Sequence, residues 1–291
     1  MHMEDSGWTV LKLLGWAKDF LARAGVEEPR LSAEILLGHA LGCDRLGLYT
    51  RYDYHPGEEQ LTAFRQFLRR AKNLEPIAYL IGQKEFYSLR FKVTSDVLIP
   101  RPESEILVSE AVSHLRRLDR PGWVWDVATG SGCVAVAIAV HVGGVQVLAT
   151  DISPAALAVA SENAVAHGVA DRVKCLQADL LNPPSQWSGQ RSFDVITANP
   201  PYVPTGQTVG EPVKHEPPSA VFGGADGLDF IRPILRDAGG FLAPGGVLVM
   251  EFGAGQARSV RDLTDSAGHF GPLRLIRDHA GIERVIVAQR R

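Results

Sequence analysis

Cysteine is scarce in this sequence, and its three copies, Cys43, Cys133 and Cys175, form no Cys-x-x-Cys pair. A disulfide framework and a zinc knuckle are therefore unexpected, and a reducing cytoplasm is the natural environment. The acidic start of the chain lacks the basic and then apolar order of a signal peptide, which favours the same location. No metal site is expected, because His215-Glu216 lacks the second histidine of a His-Glu-x-x-His motif.

An excess of positive charge is also missing. The 291 residues include 30 Lys and Arg against 33 Asp and Glu, a formal net charge of −3. A protein that binds mainly to nucleic-acid phosphates needs a basic surface, so direct nucleic-acid binding is not expected. The hydrophobic fraction of 45% is that of an ordinary globular protein, and the length suits about two domains.

The one long stretch without a charged residue spans 127–150. Its length would suit a membrane helix, but Gly130 and Gly132 interrupt it near its start and His141 lies inside it. Two short strands around a buried helix explain this stretch better, so no membrane contact is expected.

Helical periodicity dominates the first 80 residues. Apolar residues recur at three- and four-residue steps over 8–24 and 58–73, and a further helix is predicted from Ser32, as its N-cap, to Gly42. Residues 84–95 alternate as in a short hairpin. The predicted domains are a helical domain at 1–80, a hairpin linker at 81–102 and a larger domain at 103–291.

The larger domain alternates strand-like and helical segments, which is typical of an open, mostly parallel sheet covered by helices on both faces. Such sheets bind ligands beyond the carboxyl ends of their strands, at the point where the strand order reverses. The predicted strands are 123–129, 145–151, 173–179, 193–198, 246–252 and 285–289. The predicted helices include 134–141, 154–167, 228–238 and 256–267.

The first of these strands ends in Asp126-Val-Ala-Thr-Gly130-Ser-Gly132 and leads directly into a helix. Glycines let the backbone approach a ligand closely, and a helix N-terminus offers unpaired N–H groups. Asp151 lies 19 residues after Gly132, at the end of the next strand. A carboxylate there can accept from both hydroxyls of a ribose. By this loop alone, NAD and S-adenosylmethionine are equally good candidates.

Two further acids favour S-adenosylmethionine. Asp126 precedes the glycines, where it would repel a pyrophosphate but attract a methionine ammonium group. Asp179 follows the third strand, where it can meet an adenine edge. Each could instead cap a helix that follows its strand.

The fourth strand runs into Asn199-Pro200-Pro201-Tyr202. The two prolines constrain the backbone and remove two N–H donors, so local carbonyls and the Asn side chain are expected to face the cleft. The Asn199 oxygen and the Pro200 carbonyl can together accept both hydrogens of a planar NH2 group, and the Tyr202 ring can lie against that group. The alternative is a simple turn that leaves a strand.

In combination, these motifs resemble those of amino methyltransferases that use S-adenosylmethionine. That class includes DNA adenine methyltransferases and the HemK-like release-factor glutamine methyltransferases. Segments outside the methyltransferase core resemble the second group: 29–34, 75–82, 85–87, 89–93, 98–105, 216–217, 223–228 and 245–248. The resemblance covers nearly the whole chain. It implies an α/β fold, an open seven-stranded, mostly parallel, Rossmann-like methyltransferase sheet, preceded by a small α-helical domain. Because the helical start is separate from this sheet, residues 1–80 are expected to serve substrate recognition.

The resemblance also implies the reaction. S-adenosylmethionine would methylate the side-chain amide nitrogen of the Gln in the Gly-Gly-Gln motif of class I peptide-chain release factors, and a monomeric protein is expected. Asn199, Pro200 and Tyr202 are the implied catalytic residues, and together with Pro201 they bind the substrate. The implied cofactor-binding residues are Asp126, Ala128, Thr129, Gly130, Ser131, Gly132, Asp151, Asp179, Leu180 and Asn199.

Three positions depart from the family pattern. Ala128 replaces the first glycine of the loop; a negative φ would tolerate its methyl group, whereas a positive φ would require the cofactor loop to shift. Ser104 replaces a threonine. Leu180 stands where an aromatic residue often flanks the adenine.

Two other functions remain open. A DNA adenine methyltransferase would share Asn199–Tyr202, but it needs a basic target-recognition region. The first 75 residues hold ten Lys and Arg against eleven Asp and Glu, which gives little attraction for phosphates. A non-enzymatic nucleotide-binding adaptor would explain the glycine loop but leave Asn199–Tyr202 without a role.

Overall fold

The computed structural model describes residues 7–183, 187 and 192–291. The chain divides into two compact units. One consists of Met1–Gly82 and Val209–His215, and the other of Gln83–Thr208 and Glu216–Arg291.

The smaller unit is helical. Its α-helices in the described residues are α1 (Val10–Arg23), α2 (Pro29–Leu41), α3 (Arg45–Tyr49), α4 (Glu58–Lys72) and α5 (Ile77–Ile81). The periodicity over 8–24 and 58–73 correctly predicts α1 and α4, whose apolar faces bury residues such as Leu13 and Phe64. Helices α3 and α5 have five residues each and are too short to show a period, which is why the sequence pattern does not reveal them.

The predicted start of α2 at Ser32 is wrong. The helix begins at Pro29, whose φ is already set for the first helical turn and whose missing N–H costs nothing there. The Ser32 hydroxyl lies inside that turn and donates to the Glu27 carbonyl at 3.2 Å. The buried carboxylate of Glu34 then accepts from the Tyr49 hydroxyl at 2.6 Å and from Arg45, which joins α2 to α3.

The larger unit begins with a hairpin. Strands β1 (Gln83–Phe86) and β2 (Leu89–Lys92) pair antiparallel, and Phe86 and Phe91 are buried in the core of this unit. A short 3-10 turn at Pro102–Ser104 then leads into α6 (Glu105–Leu115).

Seven further strands form one sheet. They are β3 (Trp123–Val127), β4 (Gln146–Asp151), β5 (Val173–Gln177), β6 (Phe193–Ala198), β7 (Leu242–Glu251), β8 (Phe270–Arg277) and β9 (Glu283–Arg290). Their order is β5-β4-β3-β6-β7-β9-β8; the five from β5 to β7 are parallel and β9 is antiparallel to both neighbours. The prediction of an open seven-stranded, mostly parallel sheet is confirmed, although the sequence pattern locates only six of the strands. It misses β8, an edge strand in which Gly271 and Pro272 interrupt the alternation.

Helices cover both faces of the sheet. They are α6 and the helices α7 (Cys133–His141), α8 (Pro154–Ala166), α10 (Ile231–Phe241) and α11 (Ala257–Ala267). The short α9 (Pro218–Val221) borders the cavity described below. Val124 packs on the side of α6 and α7, whereas the next residue, Trp125, packs on the side of α10 and α11. Burial on both faces explains the nearly continuous apolar composition of the central strands.

The uncharged stretch 127–150 contains α7 between the end of β3 and nearly all of β4, as predicted. None of the described helices is long and apolar enough to cross a membrane. After β5 the chain crosses to the other side of β3 to form β6. The strand order therefore reverses between β3 and β6. Their carboxyl ends therefore flank the crevice in which open α/β sheets bind ligands.

Candidate active site

A cavity of about 260 Å³ lies at the carboxyl ends of β3, β4 and β6. It is confined to the larger unit, and most of the predicted site residues line it. Those that do are Asp126, Ala128, Thr129, Gly130, Ser131, Asp151, Asp179, Leu180, Asn199 and Pro201. Gly132, Pro200 and Tyr202 are not among the residues that line it.

The loop after β3 has three residues with left-handed φ, at Ala128 (+54°), Gly130 (+55°) and Gly132 (+76°). A Cβ atom at Gly132 would approach the Cβ of Ala160 to 2.9 Å, so glycine lets the start of α7 pack against α8. A Cβ at Gly130 would meet no atom within 4 Å. Backbone next to open space at the start of a helix is suited to a ligand that lies against it.

Ala128 has a positive φ, which is the less favourable of the two cases that the sequence left open. A residue with a side chain at positive φ is strained by roughly 1–2 kcal/mol. Hydrogen bonds on either side hold the loop nevertheless: the N–H of Thr129 donates to the Thr150 carbonyl at 2.9 Å, and that of Gly132 to the Thr129 carbonyl at 2.8 Å.

Asp126 is buried beneath this loop, and its two oxygens each accept from a hydroxyl. Thr129 donates at 2.5 Å and Thr197, on the neighbouring strand β6, at 2.6 Å. Burial raises the pKa of Asp126 to about 6, and the two hydroxyls oppose that rise. The predicted alternative, a cap for α7, does not apply, because Gly132 is the N-cap residue. Asp126 thus places a carboxylate in the cavity wall, available to a cation when it is ionised.

Asp151 lies at the end of β4 and supports the same loop. Its carboxylate accepts at 2.9 Å from the N–H of Gly130 and at 2.9 Å from that of Ser153. Burial raises its pKa and these backbone donors oppose the rise. A carboxylate has about four acceptor sites, so Asp151 retains capacity for hydroxyl groups of a ligand in the cavity.

Asp179 and Leu180 follow β5 in a turn. The Asp179 carbonyl accepts from the N–H of Asn182 at 3.0 Å. No helix follows β5 in the described residues 178–183, so the alternative of a helix cap does not apply to Asp179. Leu180 has a left-handed φ of +50° and contributes an apolar side chain to the cavity.

Asn199 is the first residue after β6, and its side-chain nitrogen donates to the hydroxyl of Ser104 at 2.9 Å. Ser104 in turn donates to the buried carboxylate of Glu251 at 2.6 Å. The Tyr202 hydroxyl donates to the other oxygen of Glu251 at 3.1 Å. Burial raises the pKa of Tyr202, and the adjacent Glu251 carboxylate adds to that rise.

The backbone of Tyr202 is held from a second side. The Gln256 side chain donates to the Tyr202 carbonyl at 3.0 Å and accepts from the N–H of Gly253 at 2.8 Å. A Cβ atom at Gly227 would come within 2.2 Å of the Tyr202 carbonyl oxygen, so only glycine allows the 223–228 loop to pack there.

The sequence pattern does not reveal three side chains that support the site: Thr197, Glu251 and Gln256. It identifies Ser104 only as a departure from the family pattern. Glu251 did carry a signal, since it is an acid directly after the apolar strand residues 247–250. Among the described residues, no group of three or more His, Cys, Asp or Glu side chains is placed to hold a metal ion.

The chain is similar to known proteins along nearly its whole length. Residues 12–82 match the model of the PrmC N-terminal domain, and residues 103–216 match that of the methyltransferase small domain. Release factor glutamine methyltransferase of Rhodopirellula baltica is 42% identical over 294 residues, covering 98% of both chains. That of Moorella thermoacetica is 44% identical over 287 residues, covering 97% of this chain and 99% of its own.

A solved structure agrees with the fold. A methyltransferase from Pyrococcus furiosus aligns with a TM-score of 0.50 at 18% identity, covering 71% of this chain and 91% of its own. At this identity the likeness concerns the fold alone.

Proposed function

The chain belongs to the release factor glutamine methyltransferases, and we propose that it methylates the Gln of the Gly-Gly-Gln motif in class I peptide-chain release factors. Family membership makes the protein a glutamine methyltransferase. The observation that supports methylation of this Gln is the position of Asn199, which lines the same cavity as Asp126 and Asp151.

The residues around the cavity fit S-adenosylmethionine. The unused acceptor capacity of Asp151 suits two ribose hydroxyls, and the open backbone at Gly130 leaves room for a ligand against the loop. Ionised Asp126 would attract the ammonium group, and Leu180 would contact the adenine. When bound, S-adenosylmethionine supplies an electrophilic methyl group on a sulfonium.

The substrate nitrogen needs to be oriented more than it needs a base. An amide nitrogen is a weak nucleophile because its lone pair is delocalised into the carbonyl. We assign the Asn199 side-chain oxygen and the Pro200 carbonyl to accept its two N–H bonds, with the Tyr202 ring against the amide plane. This arrangement would align the nitrogen and stabilise the positive charge that grows on it. When the nitrogen gains the methyl group as the S–CH3 bond breaks, one of its two N–H protons would leave to solvent. Orientation of this kind can contribute roughly 7–11 kcal/mol to lowering a barrier.

The smaller, helical unit is proposed to bind the release factor outside its Gln loop. It exposes the apolar side chains of Leu11, Leu46 and Tyr54, with Leu46 70% exposed. These exposed apolar side chains are available for contact with another protein.

Methyl transfer from labelled S-adenosylmethionine tests the proposal. The acceptors are a class I release factor, its Gly-Gly-Gln→Gly-Gly-Ala variant, and duplex DNA. Label on the unaltered factor alone is the expected result and identifies substrate and atom together. Label on DNA would mean that Asn199–Tyr202 serves adenine, and label on neither, with cofactor bound, would contradict the assigned substrate.

A further inference from the structure

A chain of hydrogen bonds runs from the cavity into the core of the larger unit. It starts at the Asn199 side-chain nitrogen, passes through the Ser104 hydroxyl and ends on Glu251, which also accepts from Tyr202. Ser104 and Glu251 are almost fully buried, with 2% and 1% of their surface exposed. Water is therefore a poor substitute for any partner in this chain.

The directions of these bonds depend on one another. While Glu251 is ionised it can only accept, so in that state Ser104 gives its single hydroxyl hydrogen to Glu251. The Ser104 oxygen is then an acceptor, and the end of the Asn199 amide that faces it must be the NH2 group. The opposite end of that amide, its oxygen, is left for the cavity. Reversing the amide would take the Ser104 hydrogen away from Glu251 and leave a buried carboxylate oxygen without a donor.

We propose that Ser104 and Glu251 are positioning residues of the methyl transfer, which hold the oxygen of Asn199 toward the substrate amide. The inference rests on the proposed function, because only a substrate with N–H donors can form hydrogen bonds to an oxygen at that position. Ser104 borders the cavity, but its hydroxyl is engaged by Glu251 and Asn199, so both residues are assigned to act through Asn199. They decide whether Asn199 presents an acceptor or a donor to it.

Protonation of Glu251 would allow the chain to reverse. When the oxygen that faces Ser104 carries the proton, it donates to Ser104; Ser104 then donates to the Asn199 oxygen, and the NH2 group of Asn199 turns toward the N–H bonds of the substrate. Burial raises the pKa of Glu251, as does the nearby carboxylate of Glu103. The hydroxyls of Ser104 and Tyr202 and the guanidinium of Arg284 oppose the rise, and the Cys133 thiol also lies close by.

Three variants test this proposal: Ser104→Ala, Ser104→Thr and Glu251→Gln. Ser104→Ala removes the hydroxyl and is expected to lower kcat at least ~10-fold, with cofactor affinity unchanged. Ser104→Thr keeps the hydroxyl and is expected to retain most of kcat. Ser113→Ala, at an exposed serine of α6, is the matched control and should leave kcat unchanged.

Glu251→Gln separates positioning from mere packing through the pH profile. The wild-type kcat should fall on the acid side as Glu251 gains a proton, whereas Glu251→Gln, which has no proton to gain and whose amide oxygen can still accept from Ser104, should lack that acid limb. Cofactor binding by each variant verifies that it is folded.

The outcomes separate this inference from the proposed function. If the wild-type enzyme methylates the release factor but folded Ser104→Ala has the wild-type kcat, the positioning role is wrong. If the wild-type enzyme transfers no methyl group to the factor, the proposed function fails first.

Discussion

The Asp126 carboxylate accepts a hydrogen bond of 2.6 Å from the Thr197 hydroxyl, across the neighbouring strands β3 and β6. Asp126 also accepts from Thr129 in the glycine loop. Thr197 lies two residues before Asn199. One buried carboxylate therefore joins the loop proposed to hold the cofactor to the strand that carries the proposed catalytic asparagine.

Thr197→Val is expected to destabilise the protein by about 1–3 kcal/mol, because a buried carboxylate loses one of its two hydroxyl donors. Denaturant unfolding of both proteins at pH 7.5 measures this difference. Thr264→Val is the matched control, since its buried hydroxyl donates at 2.7 Å to a neutral carbonyl, that of Val260. A larger loss at Thr264 than at Thr197 would contradict the importance of the Asp126 contact.

Cofactor affinity is expected to depend on pH through Asp126. Its pKa is raised to about 6 by burial, so the free protein holds it ionised above that pH and protonated below. Only the ionised form attracts the ammonium group of S-adenosylmethionine. The Kd should therefore rise as the pH falls below about 6, by up to ~10-fold per pH unit.

Calorimetric titrations between pH 5 and 7.5 measure this effect. Asp126→Asn should bind more weakly at neutral pH and show a flatter profile, because its side chain carries no charge to lose. A wild-type Kd that is constant down to pH 5 would contradict the role of Asp126.

Ala128→Gly is expected to stabilise the protein by about 1 kcal/mol, because it removes a side chain from a left-handed position. The thermal midpoint of the protein without cofactor measures the effect. Ala158→Gly, at an exposed position of α8, is the opposite control and should cost about 1 kcal/mol. Equal destabilisation by both changes would show that Ala128 is not strained.

Leu46→Glu is expected to lower kcat/KM for the whole release factor on the order of fivefold, while kcat/KM for a short Gly-Gly-Gln peptide stays the same. The reason is that the proposed contact lies outside the Gln loop. Val165→Glu introduces the same charge at a residue of α8 that is equally exposed (69%) and should affect neither substrate. Equal losses on factor and peptide would contradict the recognition role of the helical unit.

The sequence locates the parts of the site that follow strand ends. Asp126, Asp151 and Asn199 each end or follow an apolar strand, and parallel strands bring their carboxyl ends together. Local pattern therefore suffices to predict that these residues share one crevice. The strands of the sheet can also be predicted, because strands that are buried on both faces appear in the sequence as apolar runs.

Contacts between distant segments are not visible in this way. Ser104 lies 95 residues from Asn199 and 147 from Glu251 in the chain. No periodicity links them, and only the packing of α6 beside β6 and β7 makes them neighbours. The left-handed φ of Ala128 is likewise set by the surrounding loop, since most residues with a side chain avoid it.

In the proposed mechanism, Asn199 orients the glutamine amide for methyl transfer. Single-turnover methylation of the release factor by Asn199→Ala, with S-adenosylmethionine affinity measured on the same sample, tests it most directly. Cofactor affinity is expected to stay close to that of the wild type while the transfer rate falls at least ~10²-fold. An unchanged transfer rate would contradict the role of Asn199 and the mechanism built on it.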